Sequence, residues 1–183
     1  MKKTFSLLCA AVLLICAVSA AAGDLSGDVT VNIRDRFQLR GKLPEGYQFS
    51  IMSQSDLIME GAVTSDDPEK PVMYLSVSFN ESYADVDRLN SLSEAELEQI
   101  RQGFSEEYSV SFDMAETALG TKLLVVRETG SDRDFLDFYT IFLGHEIELT
   151  LYAGDNAPDH AITDGQIGMC IDFLSALELI PIQ

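Results

Sequence analysis

Few residues in this chain are equipped for covalent or acid–base chemistry. His145 and His160 are the two histidines, and Cys9, Cys16 and Cys170 the three thiols. A nucleophilic site sets Ser, Cys or Thr beside a base, most often histidine. Neither a Gly-x-Ser-x-Gly elbow nor a Gly-rich phosphate loop is present. Cys170 falls on the apolar stripe of a predicted helix, where a thiol acts as a small core residue. His145 follows Gly144 between two predicted strands, and Gly144-His145 reads as a two-residue hairpin turn. Zinc needs three or four closely spaced ligands, and no His-Glu-x-x-His or Cys-x-x-Cys occurs. Calcium accepts oxygen ligands alone, which raises two acidic groups. Asp132, Asp134 and Asp137 gather at one predicted hairpin; Asp155, Asn156 and Asp159 precede the last helix, with His160 beside them. Neither has EF-hand spacing, and both read first as solvated turns. A pair of carboxylates could also serve glycoside hydrolysis, although 30 acidic residues make chance pairs common. The last constellation is basic. Arg34, Arg36 and Arg40 share the polar face of the predicted first strand. They suit either cross-strand pairing with carboxylates or a local anion- or carboxylate-binding stripe.

Composition narrows the partners. The 183 residues hold 12 basic and 30 acidic side chains, a formal net charge of −18. Nucleic-acid binding depends on neutralising phosphates with Lys and Arg, so it is excluded, and an anionic membrane surface is disfavoured likewise. The amino terminus has the form of a secretory signal. Lys2 and Lys3 precede a run from Phe5 to Val18 that is apolar except for Ser6, and small residues from Ser19 to Gly23 follow. Cleavage is expected after Ala20 or Ala22, leaving residues 23–183 as a single domain and no further membrane span. Cleavage would remove two of the 12 basic residues and none of the 30 acidic ones, leaving 10 against 30, a net −20. It would also leave Cys170 as the one thiol, so no internal disulfide is expected.

The elements that would position these residues alternate between two periods. Val29, Val31, Ile33, Phe37 and Leu39 alternate with polar residues and predict a first strand, bent near Asp35. Further strands are predicted over Tyr47–Met52, Leu57–Thr64, Val72–Asn80, Val110–Glu116, Lys122–Glu128, Phe135–Leu143 and Glu146–Ala153. Two helices are marked by capping boxes, Ser93-Glu94-Ala95-Glu96 and Thr163-Asp164-Gly165-Gln166. Leu92 with Leu97, and Ile162 with Ile167, form hydrophobic staples. The strands over Lys122–Glu128 and Phe135–Leu143 are apolar on both faces, as expected in the middle of a sheet covered on both sides. The prediction is α+β: a mostly antiparallel sheet covered by two main helices.

This order of elements resembles the PsbP/DcrB-like group of α/β/α sandwiches. The likeness rests on Leu43-Pro44-Glu45-Gly46-Tyr47-Gln48-Phe49, on the paired strands between Asp134 and Ala153, and on the closing helix from Ile162 to Glu178. That group includes small exported bacterial proteins and photosynthetic binding or assembly factors. The resemblance implies a non-catalytic accessory or binding module. The expected function is therefore a secreted or cell-envelope binding domain, with a protein or small-molecule partner and no cofactor. A carboxylate-based hydrolase and a weak calcium-binding protein are the alternatives.

Overall fold

The computed structural model describes residues 25–33, 37–105, 110–117, 120–128, 135–154 and 161–182. The predicted signal, Arg34, Arg36, Asp132, Asp134 and the group Asp155, Asn156, Asp159 and His160 lie outside the described residues. In chain order the strands are β1 (Leu25–Ser26), β2 (Asp28–Ile33), β3 (Phe37–Lys42), β4 (Gln48–Gln54), β5 (Ile58–Thr64), β6 (Val72–Phe79), β7 (Val110–Glu116), β8 (Lys122–Glu128), β9 (Phe135–Phe142), β10 (His145–Tyr152) and β11 (Glu178–Pro181). Helix α1 (Glu94–Ser105) lies between β6 and β7, and α2 (Asp164–Ser175) between β10 and β11.

Eight strands form one antiparallel sheet in the order β1-β4-β5-β6-β10-β9-β8-β7. It consists of two meanders, β4-β5-β6 and β7-β8-β9-β10, joined where β10 pairs with β6 from Tyr152↔Val72 to His145↔Phe79. A second sheet, β11-β3-β2, packs with α2 over one face of the first. Val31, Ile33, Leu39 and Leu179 of the small sheet, with Cys170, Phe173 and Leu174 of α2, meet Met73, Leu75, Phe138 and Leu149 of the large one. On the opposite face, Leu89 and the α1 residues Leu97 and Ile100 pack on Leu124, Val126, Tyr139 and Ile141. The fold is thus α+β, a sandwich of sheets and helices. Among the described residues no helix is long and apolar enough to cross a membrane.

Both helix starts follow from their sequences. Ser93 N–H donates to Glu96 Oε2 at 2.7 Å, and Glu96 N–H to Ser93 Oγ at 3.4 Å. At α2, Thr163 N–H donates to Gln166 Oε1 at 2.8 Å and Gln166 N–H to Thr163 Oγ1 at 3.3 Å. Each box satisfies two amides that the first helical turn leaves without intrahelical partners. The Ser93 bonds also hold the Glu96 carboxyl below its ordinary range, because they favour the charged form.

Two local expectations are corrected. The predicted first strand is a hairpin: β2 and β3 pair antiparallel from Asp28↔Lys42 to Ile33↔Phe37. Ile33 and Phe37 lie four positions apart, so the alternation keeps its parity across the reversal. The β9–β10 turn is Leu143-Gly144, one residue earlier than expected, and His145 already pairs with Phe142. Leu143 and Gly144 take φ of 48° and 76°, the backbone of a tight hairpin turn with positive φ at both central residues. Leucine is held there by its neighbours. Leu143 N–H donates to Asp87 O and Gly144 N–H to Val86 O, each at 3.0 Å.

Thr163→Ala is expected to lower stability by about 1 kcal/mol by removing the cap. Phe138→Ala, at a fully buried position, is expected to cost about 3–5 kcal/mol. Both are read as shifts in urea midpoint at constant slope.

Candidate functional site

The second face of the large sheet is covered unevenly. Among the described residues α1 and the 3₁₀ turn Leu89–Ser91 lie over β7, β8 and β9. The outward positions of β5, β6 and β10 continue past this cover. Directly opposed residues of an antiparallel pair point to the same face, so pairing sets them in rows. Glu60 opposes Ser76, Ser76 opposes Glu148, and Glu148 opposes Tyr139. In the next row Ala62, Tyr74, Thr150 and Asp137 oppose one another in turn. Beyond it Tyr152 lies between Val72 and Phe135.

An aromatic edge and an acidic surface result. Tyr74 is 41% exposed. Its ring meets Tyr152 edge-on with centroids 5.7 Å apart, and Tyr152 meets Phe135 at the same separation. Glu60, Ser76 and Glu148 are half-buried, while Thr150 and Asp137 are buried. The charged outward residues of β5, β6, β9 and β10 are Glu60, Glu146, Glu148 and Asp137, all acidic. Where the covered end begins, Tyr139 Oη donates to Glu146 Oε1 at 2.7 Å and Asn80 Nδ2 to Glu146 Oε2 at 3.0 Å. Burial, and then the adjacent Glu146 carboxylate, push the Tyr139 phenol far above its ordinary pKa. Tyr83 beside it is raised by the same two causes. Both phenols are therefore neutral and serve to tie residues 80–92 to the sheet. In these rows Tyr74 is the exposed residue, a ring on which a cation or a flat group can stack, and the half-buried Glu60 and Ser76 beside it are hydrogen-bond acceptors.

The residues singled out by type fall elsewhere. Arg40 is exposed on β3, opposite Thr30 and Glu178. Its Nε donates to Gln38 Oε1 at 2.5 Å, and Gln38 Nε2 donates to Asn32 Oδ1 at 3.0 Å. Arg34 and Arg36 lie outside the described residues. Asp137 is a buried residue of β9 and not part of a solvated turn; its expected companions Asp132 and Asp134 lie outside the described residues. His145 is 1% exposed, with its ring against Phe37 at 4.7 Å and Phe79 at 5.4 Å. Its Nδ1 lies 2.9 Å from Leu143 O. It joins the two sheets instead of forming a turn. No group of three or more His, Cys, Asp or Glu able to hold a metal ion occurs among the described residues. Tyr74 and Glu60 were not candidates by type. The signal available was the polar outward parity of β6 and β10, but nothing local shows that strands about 70 residues apart are neighbours.

Beneath α2, Cys170 Sγ approaches Met73 Sδ at 3.6 Å. Burial pushes the Cys170 thiol up to about 12. The buried Tyr47 hydroxyl has no hydrogen-bond partner among the described residues. Burial first, then the nearby Cys170 and Asp67, raise its pKa from the ordinary 10.0 to about 12. Lys70 Nζ stands 5.3 Å from the Tyr47 ring centroid and donates to Glu45 O at 3.1 Å, closing the loop pair around it.

In comparisons with known proteins, no family model, curated protein or solved structure matches the chain.

A phenol whose folded-state pKa is raised keeps its proton more firmly when folded. Its contribution is complete below the unfolded value of 10 and is lost as pH rises through about 12. Tyr47→Phe is therefore expected to flatten the fall of urea midpoint with rising pH in that window. At neutral pH stability is unchanged or higher, because a buried hydroxyl without a partner is removed. In the native protein Cys170 is expected to stay silent toward an aromatic disulfide reagent at neutral pH. Its reaction should appear only on unfolding, read as absorbance of the released thiolate.

Proposed function

We propose that the chain is an exported binding or accessory module without catalysis, acting in the cell envelope or outside the cell through the open part of its large sheet. One observation carries this reading: an exposed tyrosine and half-buried carboxylates stand in register on strands whose opposite side chains form the core. The rigid part of the fold thus presents its least apolar face outward. The basic amino terminus followed by an apolar run and small residues supports export. The resemblance in element order to the PsbP/DcrB-like group supports an accessory role. Among the described residues, the thiol and the histidine are engaged in packing: Cys170 on the buried side of α2, and His145 against two phenylalanine rings.

Affinity capture from the native envelope and culture medium tests the proposal, with the wild type, Tyr74→Ala and Met114→Ala as baits. Met114 is 42% exposed on the distant edge strand β7, so it controls for loss of an apolar surface group. Partners are expected with wild type and Met114→Ala and lost with Tyr74→Ala. Identical recovery with all three would exclude the face.

A further inference from the structure

The edge of the large sheet carries an inference that does not depend on the binding face above. The outer side of β4 is paired only at its start, where Leu25 of β1 lies opposite Phe49 and Ser26 opposite Gln48. Among the described residues no strand continues along Ser50, Ile51, Met52 and Ser53. An open row of backbone N–H and C=O groups is a template for pairing with other chains, and proteins guard such edges with charge, proline or bulges. The other outer strands are guarded in this way. Asp113 and Glu116 lie on β7, Glu178 and Pro181 on β11, and Asp28 on β2. From Gln48 to Gln54, β4 has neither charge nor proline. Its one guard is the register shift between Ile51 and Ser53, at Met52, which is 54% exposed.

We propose that Gly23 and Asp24, which lie outside the described residues, continue β1 along this edge and close it. The existing pairs fix the register. In an antiparallel ladder one step back on one strand meets one step forward on the other, so Asp24 falls opposite Ser50 and Gly23 opposite Ile51. Ala22 meets the bulge at Met52, where the regular ladder stops. That stop coincides with one of the two expected signal cleavage points, after Ala22. The amino terminus left by that cut ends where the edge ceases to need a partner. The size of the gap disfavours other occupants. Past the bulge, Gln54 Nε2 donates to Asn32 O at 2.6 Å, which ties the end of β4 to the small sheet. The gap is shorter than an ordinary strand of about five or six residues, so a partner's strand fits it poorly. A second copy is also repelled by the net charge of −18. The chain thus closes its own edge, and partners are left to its faces instead of strand addition.

The test uses the protein produced from its full-length precursor, with its amino terminus read by mass spectrometry. Asp24→Cys is combined with Ser50→Cys, its expected opposite, or with Ser53→Cys, about 10 Å further along β4. Ser26→Cys with Gln48→Cys, an opposed pair already in register, sets the scale. Opposed residues of an antiparallel pair have the Cα separation that a disulfide requires. Cys170 is buried and does not compete. Under mild oxidation the Asp24→Cys/Ser50→Cys pair is expected to give intrachain disulfide at a yield within about twofold of that scale, and about tenfold above the Asp24→Cys/Ser53→Cys pair. Unchanged urea midpoints of the reduced variants show that they are folded. Equal yields from Ser50→Cys and Ser53→Cys would overturn the proposal, as would a mature amino terminus beyond Asp24. Disulfide-linked dimers of Ser50→Cys alone would overturn it too, by assigning the edge to a second copy.

Discussion

Six successive residues of β9, Leu136 to Ile141, are buried. Successive side chains of a strand leave it on opposite faces, so this segment is stable only if both faces are kept from water. Much of the architecture answers that constraint. Leu136 and Phe138 are sealed by β2, β3 and α2. Tyr139 and Ile141 are sealed by Leu89 and by Leu97 and Ile100 of α1. The chain between β6 and β7 is accordingly long, because it must cross the second face before the outer meander begins. Its crossing is fixed by polar bonds as well as by packing: Asn80 and Tyr139 converge on Glu146, and the amides of Leu143 and Gly144 bind the carbonyls of Asp87 and Val86. Those amide bonds hold Leu143 at a φ that leucine otherwise avoids.

The cover is built for the outer meander and extends no further among the described residues. One side of the large sheet is backed throughout its centre by a sheet and a helix; among the described residues, the elements packed on the other lie over β7 to β9. This asymmetry has a compositional mark. The outward residues of β8 are Leu124 and Val126, whereas those of β6 and β10 include Tyr74, Ser76, Glu148 and Thr150. Glycine follows the opposite logic. A Cβ at Gly61 would run into the Phe49 ring, which lies across it on the core side. The strand next to the open face is thus locked by an aromatic ring packed over a bare backbone. The candidate surface therefore rests on a rigid platform, which limits the ordering cost of binding.

Much of this was legible in the sequence where the governing signal is local. Both capping boxes fall where four-residue patterns placed them, and the two-sided burial of β8 and β9 follows from the absence of a polar parity. The failures were of two physical kinds. A connection between Ile33 and Phe37 that preserves parity leaves period-two alternation unbroken, so a hairpin reads as one strand. Arg34-Asp35-Arg36 also lacks the glycine or Asn-Gly that announces a reversal. At the β9–β10 hairpin the apolar Leu143 extended the strand pattern into the turn, because the tertiary bonds that hold it there leave no trace in local sequence. The face itself was legible strand by strand. Tyr74 and Ser76 were outward on one strand, and Glu148 and Thr150 on another. What joins them is the β6–β10 pairing, a contact between distant segments that no spacing encodes.

The charges on that face are hard to explain by stability. Arg101 pairs with Glu94 at 2.6 Å on the surface of α1, and such an exposed pair contributes at most about 1 kcal/mol. Stability in this chain comes from its apolar layers. Glu146 accepts from Tyr139 and Asn80, but Glu60 has no ion-pair or hydrogen-bond partner among the described residues. Solubility does not require them there, since exposed acidic residues are plentiful on loops and on α1. A sequence shaped only for folding would place Thr or Lys on some of these positions. When a local choice opposes the general economy of a fold, the conflict marks a surface shaped by something other than folding. Here the conflict coincides with an exposed tyrosine on the least mobile kind of element, the middle of a sheet.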